Sequence, residues 1–116
     1  MQIRKRIDKY KIFSTGTKGS GYMVGIVLSD DTGGFCFIKY LADDKNLPEN
    51  SLVSAGHYVK LYKHFSQTSV DMDILRNEKP VYLHYDTGTK SGYIVTGNEP
   101  VGEHELLADD FPFNRF

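Results

Sequence analysis

The chain of 116 residues contains a single cysteine, Cys36, so it has no disulfide framework. Cys36 lies in the apolar run Phe35-Cys36-Phe37-Ile38, which reads as a buried, unreactive thiol and assigns Phe35 and Phe37 to the core. Long hydrophobic runs are missing as well. No stretch approaches the ~20 apolar residues of a membrane helix, and the basic start Met1 to Arg6 is not followed by the apolar run of about seven or more residues that a signal peptide needs. The expected compartment is the cytoplasm, with no membrane partner. The four histidines His57, His64, His84 and His104 lack metal-ligand spacing, and no second cysteine assists them, so no metal is expected. Gly16-Thr17-Lys18-Gly19-Ser20 has a glycine and a lysine but not the spacing of a P-loop. The carboxylate pairs Asp71/Asp73 and Asp109/Asp110 read as solvated surface. The expectation is therefore a protein that is not an enzyme and needs no cofactor.

What the chain does have is one loop written twice. Thr15-Gly16-Thr17-Lys18-Gly19-Ser20-Gly21-Tyr22-Met23-Val24 returns as Thr87-Gly88-Thr89-Lys90-Ser91-Gly92-Tyr93-Ile94-Val95, with one glycine dropped. Each copy joins two apolar-alternating stretches and so reads as a β-hairpin tip, with Gly21 and Gly92 expected at positive φ. A turn needs glycine and small polar residues, but not the same lysine and tyrosine at the same places. The repeat is therefore either a turn used twice for its geometry or a pair of equivalent contact loops carrying Lys18 and Lys90.

Alternation of period two, with β-branched and aromatic residues, predicts strands over 3–13, 22–29, 34–41, 57–65, 80–86 and 92–97. Asp30-Asp31-Thr32-Gly33-Gly34 reads as a hairpin turn that echoes Asp86-Thr87-Gly88. The stretch 47–55 reads as loop or short helix. Residues 66–79 fit either a strand alternating at Val70, Met72 and Ile74 or a helix capped by Ser69. Few helical signals and about six short strands in a chain of one-domain size predict an all-β fold. A small antiparallel barrel is expected, OB-like in preference to SH3-like, because closure removes exposed strand edges. The barrel domain is placed at 1–98 and an extended acidic C-terminal tail at 99–116. Residues 1–98 hold 13 Lys and Arg against 10 Asp and Glu, whereas 99–116 hold one Arg against five acids. A basic body with an acidic tail suits a protein that handles polyanions.

Strand parity sorts the candidate site. In 57–65, Val59, Leu61 and Phe65 point to the core, while Tyr58, Lys60, Tyr62 and His64 point outward. In 80–86, Val81, Leu83 and Tyr85 point inward, and Tyr82, His84 and Asp86 outward. Rings interleaved with cations on a sheet face suit single-stranded nucleic acid, because aromatic rings stack on any base and cations follow the phosphates. The expected stacking residues are Tyr58, Tyr62 and Tyr82, with cationic contacts from Lys18, Lys60, His64 and Lys90. In an OB-like plan the two copied loops become the connections that flank the oligonucleotide groove. The alternative is a regulatory barrel that binds a protein or small ligand, its tyrosine face serving as an inhibitor or homo-oligomer interface.

The tail supplies a resemblance. Leu107-Ala108-Asp109-Asp110-Phe111-Pro112-Phe113 resembles the acidic tip of bacterial single-stranded DNA-binding proteins, in which aspartates precede an apolar residue, Pro and a terminal Phe. The resemblance implies an OB-fold that holds the strand and a protein partner docked through Asp109, Asp110, Phe111, Pro112 and Phe113. Here the chain continues through Asn114-Arg115-Phe116, whereas in that family the terminal carboxylate follows Phe directly. More distantly, Arg4-Lys5-Arg6 with Ser29 to Gly34 resembles the PilZ pattern of an Arg-x-x-x-Arg arm and an Asp/Asn-x-Ser-x-x-Gly motif, which implies a cyclic-dinucleotide sensor. Gln2 stands four before Arg6, and Ser29 and Asp31 stand where that pattern has Asp/Asn and Ser.

Overall fold

The alternation from Ile3 to Phe13 predicts one strand, and the structure bends it into two. The computed structural model describes residues 1–16, 19, 21–53 and 58–97. In it β1 (Gln2–Arg6) and β2 (Lys9–Ser14) meet at Ile7-Asp8. The two bend residues serve different partners: Ile7 N–H donates to the Val81 carbonyl at 2.8 Å, and Asp8 N–H to the Ser29 carbonyl at 3.0 Å. The bend also resets the side-chain parity, since Ile3 and Ile7 pack on the core before it, and Tyr10 and Ile12 after it. Without that reset, every β2 side chain would fall on the wrong face.

The remaining strands are β3 (Val24–Asp30), β4 (Gly33–Leu41), β5 (Ser51–Val53), β6 (Tyr58–His64), β7 (Val81–Asp86) and β8 (Ser91–Thr96). They form a three-stranded sheet ordered β1-β7-β8 and a five-stranded sheet ordered β2-β3-β4-β6-β5. All neighbours are antiparallel except β4 and β6, which run parallel. The all-β expectation holds, with β2-β3-β4 as the expected meander. The segment 47–55 contains the edge strand β5 rather than a helix. Among the described residues the sheets are not closed by hydrogen-bonded ladders. They approach instead through side chains: a Cβ on Gly92 would lie 2.5 Å from Leu61 Cδ2, so β8 passes β6 at a distance that only glycine permits. Asn50 clasps the same side, its Nδ2 donating to the Lys90 carbonyl at 3.0 Å and its Oδ1 accepting the Tyr62 N–H at 2.9 Å.

Both sheets turn one face to a shared core that includes Ile26, Leu28, Ile38, Leu61 and Leu83. Each such fully buried side chain contributes about 1.5–3 kcal/mol relative to exposure. Phe35 joins them but Phe37 does not, which corrects the assignment of both to the core. A register shift between Leu28 and Ser29 adds a residue to β4, so Phe35 and Cys36 both turn inward and Phe37 turns outward. Burial raises the Cys36 thiol well above its usual range, as expected of an unreactive cysteine.

Residues 65–67 form a 3-10 turn and Thr68–Asn77 the helix α1. Strand parity therefore fails here: Phe65 is 42% exposed and Val70 59% exposed. The helix buries Asp71 and Leu75, four apart on one face. Ser69 is not its cap, and Gln67 at the cap position makes no side-chain capping bond. Asp71, only 4% exposed, fixes the helix to the sheet by accepting from the Tyr40 hydroxyl and from Lys63 Nζ at 2.9 Å. Among the described residues no helix is long and apolar enough to cross a membrane.

The predicted turns are built on aspartates. Asp30 Oδ1 accepts from Thr32 N–H at 2.8 Å and Thr32 Oγ1 at 2.6 Å, and Asp86 Oδ1 accepts from Gly88 N–H at 2.8 Å. These bonds favour the ionised form and hold both carboxyls below the usual value of 3.8. A lowered folded pKa contributes stability above the unfolded value, and that contribution disappears as pH falls through the folded value. Accordingly, Asp86→Ala is expected to lower the melting temperature at pH 7, and the difference from wild type should shrink as pH falls below the ordinary value of 3.8. A difference independent of pH in thermal melts would contradict this account of the turn.

Candidate functional site

The outward face of the five-stranded sheet gathers an aromatic cluster around one lysine. Its cross-strand register sets Phe13 opposite Gly25, Gly25 opposite Lys39, and Lys39 opposite Tyr62. The adjacent row runs Lys11, Val27, Phe37, Lys60. Tyr22, from the first copied loop, closes over the Phe13 side: ring centroids stand 6.5 Å from Phe13 and 5.7 Å from Phe37. Phe13 and Phe37 are themselves 5.6 Å apart.

Gly25 makes that pair possible. A Cβ there would lie 2.7 Å from Phe37 Cε1 and 2.9 Å from Phe13 Cε2, so both rings lean over bare backbone. Lys39 Nζ sits 5.3 Å from the centroids of Tyr22 and Phe37 and 5.9 Å from that of Tyr62. Each such contact is worth roughly 0.5–1 kcal/mol at an exposed site. The result is a shallow platform of four rings with Lys39 among them and Lys11 and Lys60 beside it.

The second copied loop reaches the Tyr62 side. Its residues Thr87 to Lys90 form the β7–β8 turn, and the Lys90 carbonyl meets Asn50, which also holds the Tyr62 backbone. The two copies solve their turns differently. Gly21 has φ +84, whereas in the second copy the positive φ falls on Lys90 (φ 59) and Gly92 is needed for its closeness to Leu61. Lys90 Nζ pairs with Glu49 Oε1 at 3.1 Å.

Chemically the platform can stack on flat rings and neutralise anions. Among the described residues no group of three or more His, Cys, Asp or Glu is arranged to hold a metal ion.

The chain matches no family model, no curated protein and no solved structure.

The residues expected from sequence divide between two surfaces. Tyr58, Lys60, Tyr62 and His64 share the outward side of β6, but His64 Nε2 donates to the Lys45 carbonyl at 2.8 Å and is turned to that loop. Tyr58 is half-buried opposite Val53, and burial raises its phenol above the usual value. Tyr82 stands on the other sheet. There the Arg4 guanidinium lies 3.7 Å above the Tyr82 ring centroid, and Arg4 Nε donates to His84 Nε2 at 3.1 Å. Tyr93 lies beside His84, with centroids 5.3 Å apart. Thus Tyr58, Tyr62 and Tyr82 do not converge on one face. Lys18 and the segment Asp109, Asp110, Phe111, Pro112, Phe113 lie outside the described residues.

Sequence reasoning missed Phe13, Tyr22, Phe37 and Lys39 as site residues. Two signals for them were present: the parity of Lys9, Lys11 and Phe13 along β2, and a tyrosine at the same place in both copied loops.

Proposed function

We propose that this protein binds single-stranded nucleic acid without catalysis. The observation that carries this reading is the platform of Phe13, Tyr22, Phe37 and Tyr62 gathered round Lys39 on one open sheet face. Unpaired bases need ring surfaces of no fixed sequence preference, and the phosphates between them need cations, which Lys11 and Lys60 supply beside the rings.

The fold is read as an open relative of the OB plan. The bent strand β1–β2 is taken as its first strand, β3 and β4 as the second and third, and β7 and β8 as the fourth and fifth. β5 and β6 are then additions beside the third strand, lying where the smaller plan would close. In that plan the outward face of the second and third strands, flanked by the 1–2 and 4–5 loops, binds oligonucleotides. Phe37 and Lys39 lie on that face, Tyr22 belongs to the first of those loops, and Lys90 belongs to the second.

Fluorescently labelled oligo-dT is expected to bind at low salt and to weaken steadily as salt rises, through release of counterions from the neutralised phosphates. Tyr62→Ala should cost about 1–3 kcal/mol of binding and leave the melting temperature nearly unchanged. Absence of binding at low salt removes the nucleic-acid reading.

A further inference from the structure

We propose that the bound strand continues past the five-stranded sheet, through the cleft at the β1–β2 bend, onto the outward face of the three-stranded sheet. This rests on the proposed function and adds to it a second stacking surface and the passage that joins the two.

The second surface already has its parts in place. The Arg4 guanidinium is stacked on Tyr82 and hydrogen-bonded to His84. Tyr93, beside His84, is 52% exposed and presents its ring to solvent. A guanidinium held over a ring can serve both purposes, since its plane can accept a stacked base and its remaining N–H groups can donate to phosphate.

The passage is a cleft of about 490 Å³ between the bend and the connection from α1 to β7. Arg6 and Lys9 line one wall, and Arg76 and Lys79 the other; Asp8 and Glu78 are the acids among its lining residues. Arg6 pairs with Asp8 at 3.4 Å, but at an exposed site that pair is worth little and yields readily to a phosphate.

Continuity comes from the bend. Arg4, Arg6, Lys9 and Lys11 are all exposed along one run of chain. Alternate residues of a strand stand about 6.6–6.8 Å apart, and the parity reset at Ile7-Asp8 keeps the cations outward as the chain crosses from one sheet to the other. They form a line that starts beside Tyr82, borders the cleft and ends beside Phe13.

The test compares labelled oligo-dT of about 6 nucleotides with one of about 20, lengths near the low end of a single fold's site and beyond its high end. The variants are the exposed pair Arg76→Ala/Lys79→Ala and, separately, Tyr93→Ala, each checked by thermal melting. Both are expected to weaken the long oligonucleotide about tenfold and leave the short one unchanged. The cleft pair should also reduce the salt slope for the long one by about 1.4, roughly 0.7 for each cation on a single strand. Unchanged affinity and slope for the long oligonucleotide, with Tyr62→Ala still harmful, overturn this inference and leave the proposed function standing. Equal losses at both lengths overturn it too, because the cleft then belongs to the first face. A wild-type protein that binds neither length overturns both.

Discussion

Asp71→Ala is expected to cost about 3–5 kcal/mol of folding stability, a large part of what a domain of this size has. The carboxylate is buried and accepts from two donors, the Tyr40 hydroxyl and Lys63 Nζ, and Lys63 is itself only 15% exposed. Removing it leaves an ammonium and a hydroxyl with their acceptor gone, and it also removes the polar tie between α1 and strands β4 and β6, leaving the apolar contact of Leu75. Burial, together with the bond to Asp71, pushes the Tyr40 phenol far above its ordinary range, so the hydroxyl remains a donor at every working pH. Urea unfolding of Asp71→Ala, Lys63→Met and the double variant measures the coupling. The double variant should recover part of the loss, because it no longer buries an unpaired charge. Should Asp71→Ala lie within about 0.5 kcal/mol of wild type, the triad is not what fixes the helix.

The second large effect falls on binding rather than folding. Gly25→Val is expected to weaken oligonucleotide binding by about 2–4 kcal/mol, the equivalent of one to two stacked bases, while the core stays intact. The new side chain would enter the space under Phe13 and Phe37, at 2.7 to 2.9 Å from their ring atoms, and must lift both rings from the sheet. Valine is otherwise a favourable strand residue, and no positive φ at Gly25 opposes it. Fluorescence anisotropy against oligo-dT, with a thermal melt on the same sample, separates the two effects. Unchanged affinity in a folded Gly25→Val protein would mean that the Phe13–Phe37 pair is not part of the binding surface.

The sequence is most legible where alternation is uninterrupted. Val59 and Leu61 in β6, and Val81, Leu83 and Tyr85 in β7, point inward as parity predicts, and the same argument puts Lys60 and Tyr62 on the exposed side. It fails where a single residue is added. The extra residue in β4 sends Phe35 and Phe37 to opposite faces, and the step at Ile7-Asp8 divides an apparent single strand, because alternation along one strand carries no mark of its neighbour's register. In 66–79 the spacing of Val70 and Ile74 suits both periods. What decides it is Asp71, which a strand pattern treats as surface and the helix buries against Lys63 and Tyr40. The platform was half visible for the same reason. Tyr62 and Lys60 follow from one strand, whereas Phe13, Gly25, Phe37 and Lys39 become neighbours only through pairings among β2, β3 and β4.

The pairing of β1 with β7 joins Gln2 to Asp86, almost the whole described length of the chain. During synthesis from the N-terminus, the three strands of the meander β2-β3-β4 can pair with one another as soon as Leu41 has emerged, and β4 gains its parallel partner β6 once Tyr58 to His64 follow. β1 has none among the described strands until Val81 to Asp86 follow. The ribosome thus releases the aromatic platform's central strands long before the second sheet can exist, and for that interval the inner side of the meander lacks the cover of Leu83 and Tyr85. Any chain cut short before Val81 would keep the rings of Phe13 and Phe37 but not the layer that covers the inner face of their sheet.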